Sequence, residues 1–406
     1  MRNLAFVIPW YAETLGGGAE TACRMLAHLL QDSGVNVEVL STCVKDFRSD
    51  WSVNHHAPGT TVEASIPVRR FAVRPRDTQA FDRINAKLMA SAAITEDEEE
   101  TFLREMVHSP SLYDFIAANQ ESYVYAFMPY MFGTTFAGCR QAPRQSVLIP
   151  CLHDEPYARL RTFRQIFTSA AGSIFLSEAE RDLALTLYGP DIRVLTVGGL
   201  PIQTGWTGNP ARFRSNYGID NFLLYAGRTD PGKGADILIN YFGRYVRETG
   251  DPLKLVFIGS SDVHVPVELE GRVYTPGFLS EQDKHDCMTA ARALCVPSIM
   301  ESYSIVLMES WVAGTPVIVN ERCAVTTGFC RRSNGGLWFG GYEDFRGILQ
   351  WMAEHPAMAK AMGQHGRAYV VSEFSQDAVA RRYMDALGPM LNAPMLSSRA
   401  ARNQFR

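Results

Sequence analysis

The sequence predicts an α/β protein of two Rossmann-like, doubly wound domains that face each other across a cleft. Two observations carry this. Short apolar runs alternate with helix-length periodic segments, and one stretch rich in Gly, Pro, Thr and Asn, residues 198–216, interrupts the alternation. The length, 406 residues, is also too great for one core of ordinary size.

Taken in order, residues 4–8 form the first apolar strand, and Gly16, Gly17 and Gly18 make the turn after it. Ala22, Met25, Leu26, Leu29 and Leu30 recur at helical spacing, Gly34 closes that helix, and residues 35–40 read as the next strand. This is one βαβ unit, the seed of a parallel sheet. Residues 45–76 read as strands and loops, and the acidic run 96–100 opens a solvated helix. Strands are expected at 146–152, 173–176 and 194–197, with a helix over 178–188 before the last. Beyond the linker the strands are 222–226, 253–258, 294–296 and 316–319, and the helices 235–247, 280–293 and 305–313. The C-terminal end reads as helical over 356–387 with a break at 373–375. The expected division is an N-terminal domain over 1–200, a C-terminal domain over 201–374, and a basic tail over 391–406 that carries Arg399, Arg402 and Arg406.

The charge balance, 39 basic against 43 acidic residues, gives no general attraction to nucleic acid, and no nucleic-acid partner is expected. The eight cysteines form no C-x-x-C pair, so they read as buried free thiols in a reducing compartment. The first apolar run is too short for a signal peptide, and the aromatic stretch 123–138, broken by Pro129 and Gly133, is too short to span a bilayer. The expectation is a cytoplasmic protein, with peripheral contact at the inner face of the membrane left open.

Four clusters carry candidate chemistry. In the segment 225–234, a strand ends at Ala226, and Arg228 and Lys233 follow on a Gly- and Pro-rich loop that leads into a helix. A planar fork, a point charge and a helix N-terminus together suit a diphosphate. The spacing is not that of a Walker loop, and the alternative is a basic surface turn. In the segment 297–309, Glu301 precedes a helix that contains Glu309. Eight residues of helix would span roughly 12 Å, the order of the distance from a sugar to a ribose across a diphosphate. Carboxylates accept from vicinal hydroxyls, and the amides of Ser304, Ile305 and Val306 would face the phosphates between. In the third cluster His153 follows the strand 146–152; it reads equally as a structural residue or as a contact to a sugar hydroxyl. The fourth is the glycine turn, where Gly17 and Gly18 would let a ligand approach the backbone. The aromatic stretch reads as core or as a sugar-stacking surface. Arg69, Arg70, Arg74 and Arg76 read as a lipid-headgroup contact or as a solvated strand edge.

In this order the four clusters resemble glycosyltransferase family 4 of the GT-B fold. The strongest part is 223–319, with Gly227-Arg228 to Lys233-Gly234, the Glu301/Glu309 pair, and the flanks Pro297-Ser298 and 313–318. The resemblance implies that Arg228 and Lys233 bind the diphosphate of a nucleotide-sugar donor, that Glu309 holds the ribose, and that Glu301 and His153 meet the transferred sugar. The glycine turn would face the diphosphate and acceptor. It further implies transfer with retention of configuration, no metal and no cofactor besides the donor, and a final helix, about 375–390, that completes the N-terminal domain. Two departures stand out. Tyr303-Ser304 replaces the family's Phe-Gly, and Gly198-Gly199-Leu200-Pro201 replaces its Asn-Gly-Val-Asp. The implied reaction moves a sugar to a hydroxyl of a glycan or lipid-linked saccharide, in bacterial cell-surface polysaccharide or lipopolysaccharide synthesis. A sugar-nucleotide epimerase of the same architecture and a catalytically silent nucleotide-sugar binding module are the alternatives.

Overall fold

A computed structural model describes residues 1–229, 231–259 and 263–394. The arginines of the basic tail lie outside the described residues. The chain divides into two compact units, one of Met1–Pro201 joined by the segment that starts at Val379, the other of Ile202–Ala378.

The first unit runs β1 (Asn3–Val7), α1 (Gly18–Asp32), β2 (Val37–Thr42), β3 (Gly59–Glu63), β4 (Ile66–Phe71), α2 (Thr78–Met89), α3 (Glu96–Arg104), α4 (Pro110–Asn119), β5 (Tyr123–Phe127), α5 (Gly133–Gln141), β6 (Ser146–Leu148), α6 (Arg161–Ser169), β7 (Gly172–Phe175), α7 (Glu178–Tyr188) and β8 (Val194–Val197). Its sheet has the order β3-β4-β2-β1-β5-β6-β7-β8. Only β3 runs antiparallel, at the edge. The chain order reverses between β1 and β5, which pair in parallel from Asn3↔Tyr123 to Val7↔Phe127. Both strands are covered by helices, so they read as continuous apolar runs rather than alternating ones. Local chemistry starts the helices: Asp77 caps α2, Thr95 and Glu98 form a reciprocal capping box on α3, and Ser177 caps α7.

The aromatic stretch is core. All five residues of β5 are buried, and so are Tyr130, Phe132 and Phe136. The arginine run is neither of the two surfaces expected for it. Arg69 pairs with Glu38 at 2.8 Å, and Arg70 is buried on Glu63, Thr61 and the Tyr11 carbonyl. Arg74 pairs with Glu105, and Arg76 donates to the Glu105 carbonyl. Four cations on a strand and the loop beyond it find partners within their own unit, so the run is not a free cationic surface.

The second unit runs α8 (Pro210–Tyr217), β9 (Phe222–Gly227), α9 (Ala235–Thr249), β10 (Lys254–Gly259), β11 (Val273–Gly277), α10 (Glu281–Ala290), β12 (Ala293–Val296), α11 (Ile305–Val312), β13 (Val317–Asn320), α12 (Ala324–Ser333), β14 (Gly336–Phe339), α13 (Tyr342–Glu354) and α14 (Pro356–Glu373). Its sheet, β11-β10-β9-β12-β13-β14, is wholly parallel. Counted from β9 the order is 3-2-1-4-5-6, that of a dinucleotide-type doubly wound fold, and the reversal falls between β9 and β12. The predicted linker contains a helix. Asn209 accepts from the amides of Ala211 and Arg212, and Pro210 takes the first position of α8. Composition alone read that stretch as irregular because its cap and first-turn residues are also turn formers.

The final helix α15 (Gln376–Leu391) follows a break at Phe374–Ser375. Its Tyr383 is buried and donates to the Gly199 carbonyl (3.1 Å), and the Leu391 carbonyl accepts from the Arg2 amide (2.7 Å). A Cβ at Gly198 would stand 2.5 Å from the Tyr383 ring, so Gly198 makes room for that docking.

Asp286 on α10 is fully buried. It accepts from the Asn209 amide (2.7 Å), from Gln282 (3.0 Å) and from the Arg212 guanidinium. Burial alone would raise its pKa, but these donors outweigh it and hold the carboxyl below its usual value. Asp286→Ala should therefore cost about 1 kcal/mol by removing the acceptor that ties the start of α8 to α10, read as a lower urea midpoint at unchanged m-value.

Candidate functional site

Ligands of doubly wound sheets sit beyond the carboxyl ends of strands at the point where strand order reverses. In the second unit the two strands at that point, β9 and β12, lead into the Arg228/Lys233 loop and the Glu301 turn. The sheet thus brings the two segments together although some 70 residues separate them.

The joint between them is close. Gly234, in the left-handed region at φ +70°, caps α9, and a Cβ there would stand 2.8 Å from the Pro297 carbonyl. Any side chain would push the loops apart, so only glycine serves. Buried Ser298 donates to the Met300 carbonyl (3.1 Å) and more weakly to that of Gly232 (3.4 Å). Asn320, at the end of β13, donates to the Pro297 carbonyl (3.1 Å). Tyr225 donates to the Arg228 carbonyl, so the strand fixes the start of the loop. The result is a 2.7 Å ion pair between Lys233 Nζ and Glu301 Oε1, half-exposed on the lysine side. Arg228 is exposed on the same loop.

The helix α11 begins only at Ile305, so the interval from Glu301 to Glu309 is a turn followed by helix, and a helical rise does not measure it. Ser304 caps α11 without a side-chain hydrogen bond, which leaves the first-turn amides of Ile305 and Val306 for an anion. Ser304 itself has φ +77°, a conformation that favours glycine, and its buried hydroxyl has no partner. The replacement of glycine has therefore kept a glycine-like backbone at the cost of strain, instead of shifting it.

Glu309 bonds Lys284 of α10 at 3.0 Å. Burial raises the Glu309 pKa against the pull of Lys284. Burial lowers that of Lys284, but Glu309 and Glu281 outweigh it and the net shift is upward. Lys284 lay inside a predicted helix, yet its spacing from Glu309 in sequence carried no signal of the contact. Each acid of the pair thus has its own lysine. Among the described residues no group of three or more His, Cys, Asp or Glu is placed to hold a metal.

The remaining candidates lie in the first unit. Gly17 caps α1 and Gly18 is its first residue. A Cβ at Gly17 would stand 1.8 Å from the Glu20 carboxylate, which folds back over the helix start and accepts from the Trp10 indole. The space over Gly17 is thus filled by the chain's own acid, while that over Gly16 and Gly18 is open. β6 stops at Leu148, so His153 stands on an irregular segment and not directly at a strand end. That segment turns at Cys151 (φ +51°) and is anchored by Glu180, which accepts from the Leu152 amide (2.6 Å) and the Leu176 amide (2.5 Å). Glu180 was unremarkable in sequence, one acid at the start of a predicted helix. It is fully buried, and desolvation raises its pKa to about 8 in spite of those amides.

The comparisons with known proteins bear on the fold and the family. Residues 211–369, which hold the loop, both glutamates and α11, match the model of the glycosyl transferases group 1 family. The segment 211–369 is that of the group 1 glycosyl transferases. A D-inositol 3-phosphate glycosyltransferase of Frankia alni is 26% identical over 92% of this chain and 95% of its own length. One of Kribbella flavida is 27% identical, but the match spans 52% of this chain and only 54% of that protein. Among solved structures, sucrose-phosphate synthase of Thermosynechococcus elongatus superposes with a TM-score of 0.70 at 16% identity, over 97% of this chain and all of the other. Anabaena HepE in complex with UDP gives 0.69 at 14% identity, over 95% of this chain and 99% of HepE. The chain therefore has the GT-B fold.

Ser304→Gly should raise stability by about 1 kcal/mol, since it removes the left-handed strain and the unpartnered hydroxyl; a thermal melt reads the shift. The Glu180 carboxyl titrates near 8 when folded against about 4.3 when unfolded. A raised folded pKa contributes stability that is complete below the unfolded value and is lost as pH rises through the folded one. Stability should thus decline between about pH 4.3 and 8, and Glu180→Gln should flatten that part of a melting-temperature profile.

Proposed function

We propose that the chain transfers a sugar from a nucleotide-diphosphate sugar to a hydroxyl of a glycan or lipid-linked saccharide, with retention of configuration and without a metal. The observation that carries the reading is the Lys233–Glu301 ion pair beside the uncapped start of α11. A diphosphate at that helix start would draw Lys233, with Arg228 as the second cation, and leave Glu301 to accept from a sugar hydroxyl. The two cations would take the charge a metal otherwise takes as the bond from the anomeric carbon to the diphosphate oxygen breaks.

In the proposed step the acceptor oxygen bonds to the anomeric carbon on the face the diphosphate leaves, and its proton passes to a phosphate oxygen of the departing nucleotide. Glu309 and Lys284 position the ribose, and His153 meets the transferred sugar. HepE was solved with UDP and with UDP-glucose, which makes a uridine donor the first to try. We place the reaction in the cytoplasm and in the assembly of a surface polysaccharide or lipopolysaccharide. No described helix is long and apolar enough to cross a membrane, and the arginine run, paired internally, lends no support to peripheral contact.

Arg228→Ala and Lys233→Ala should each lower kcat by about a hundredfold or more with an unchanged melting temperature, because they remove stabilisation of charge that develops in the transition state. Turnover at the wild-type rate in both variants would refute the clamp. The donor incubated alone separates the alternatives: an epimerase would convert it, a silent module would bind it unchanged, and a transferase needs an acceptor for product.

A further inference from the structure

On one side of its reversal point the sheet of the second unit runs β9, β10, β11. Right-handed crossovers place the β9–β10 and β10–β11 connections side by side on one face. The first connection is the helix α9. The second is usually a helix too, but the described residues 263–272 hold only one 3₁₀ turn, Val267–Leu269. The flank of α9 that a second helix would cover is therefore open. It forms a groove of about 480 Å³ between α9 and residues 263–269, and its end at the start of α9 reaches Thr229.

The groove is apolar along its walls and charged at its ends. Ile239, Val263 and Pro266 are half-buried in it, and Val267, next to Pro266, is 78% exposed. Gly243 lies on the α9 side, where a Cβ would stand 3.1 Å from Leu269 Cδ1. A glycine inside a helix costs about 1 kcal/mol against alanine. Here it leaves the middle of the groove bare.

The charges have an order along α9. Asp236, Asn240, Gly243 and Arg247 recur at i, i+4, i+7 and i+11, and so share one face. Asp236 and Arg247 end that row, roughly 16 Å apart. Both are exposed, and among the described residues neither makes a hydrogen bond or an ion pair. Arg244 differs: it bonds Glu248 (2.7 Å) and lies 3.8 Å over the Tyr342 ring, so its charge is met inside the chain. The signs at the two ends also suit the dipole of α9 itself. That explains the signs, but not their place on one face beside an open groove.

The row is complementary to itself when reversed. A two-fold axis across the middle of α9 sets Asp236 on the partner's Arg247 and Asn240 on the partner's Gly243. The same register lays Ile239 on the aliphatic stem of the partner's Arg244. An anion or a cation filling the groove would meet a like charge at one end, and an apolar chain would desolvate both ends. A reversed second copy meets neither cost.

We propose that this groove is the interface of a two-fold dimer of the chain, with α9 packed antiparallel on α9 of the second copy. The dimer is independent of the transfer reading. Sedimentation velocity in low salt, over about 5 to 200 µM chain, reads the assembly. The expected result is a sedimentation coefficient that rises with concentration to that of a dimer and falls when salt is added. Asp236→Arg alone and Arg247→Asp alone should each weaken the dimer about tenfold or more, because each sets like charges together at both ends of the row. An equimolar mixture of the two variants should dimerise again, since both end contacts then join opposite charges. Should a reversed charge unfold α9, Asn240→Trp supplies a second route: its bulk does not fit against the partner's Gly243, and it should weaken the dimer likewise. A wild type that stays monomeric throughout overturns the proposal and leaves the groove to a different partner. A dimer that none of the variants weakens, or that the mixture does not restore, overturns it equally.

Discussion

The candidate site of the second unit depends on the Pro297–Ser298 turn. Its Pro297 carbonyl accepts from Asn320 on one side, and the bare backbone of Gly234 closes on it from the other. Because no Cβ intervenes, the loop after β9 and the turn after β12 lie near enough for Lys233 to reach Glu301. The ion pair is thus a consequence of backbone proximity. It is a partly exposed pair and contributes little to stability by itself; its value is that a cation and an acceptor are already placed beside an open helix start.

The same logic recurs in the first unit in a different chemical form. There the glycine turn after β1 gives its space to Glu20, and Glu20 in turn orients Trp10 into an aromatic box. One sheet therefore presents cations and amides at its reversal point, the other rings and a few polar groups. The loops beyond the first strands thus give two doubly wound units different side-chain chemistry.

Much of this was legible in advance. The βαβ alternation, the single interruption and the carboxyl-end position of Arg228, Lys233, Glu301 and Glu309 are local properties of the chain, set by hydrophobic period and turn residues. Helix α8 was missed because Asn209 and Pro210 serve equally as loop and helix-start residues. β11 and β14 went unread because their apolar runs are short; α2, α4, α5, α6, α12 and α13 also went unread, although α13 buries Tyr342, Phe345, Leu349 and Met352 at helical spacing. The overlong strand at 146–152 reflects an apolar run that continues past the last ladder bond, where the backbone turns at Cys151.

The sequence by itself determined the fold class, the family resemblance and the residue types at the loop after β9, because each of these depends on neighbours within a few positions. Tertiary structure alone decided which charges meet. Lys284 belongs to Glu309, Glu180 to the amides of two separate loops, and the basic run at Arg69–Arg76 to acids and carbonyls inside its own unit. Ion pairs and buried acceptors are made between elements far apart in the chain, with energies set by burial and direction that no spacing rule encodes.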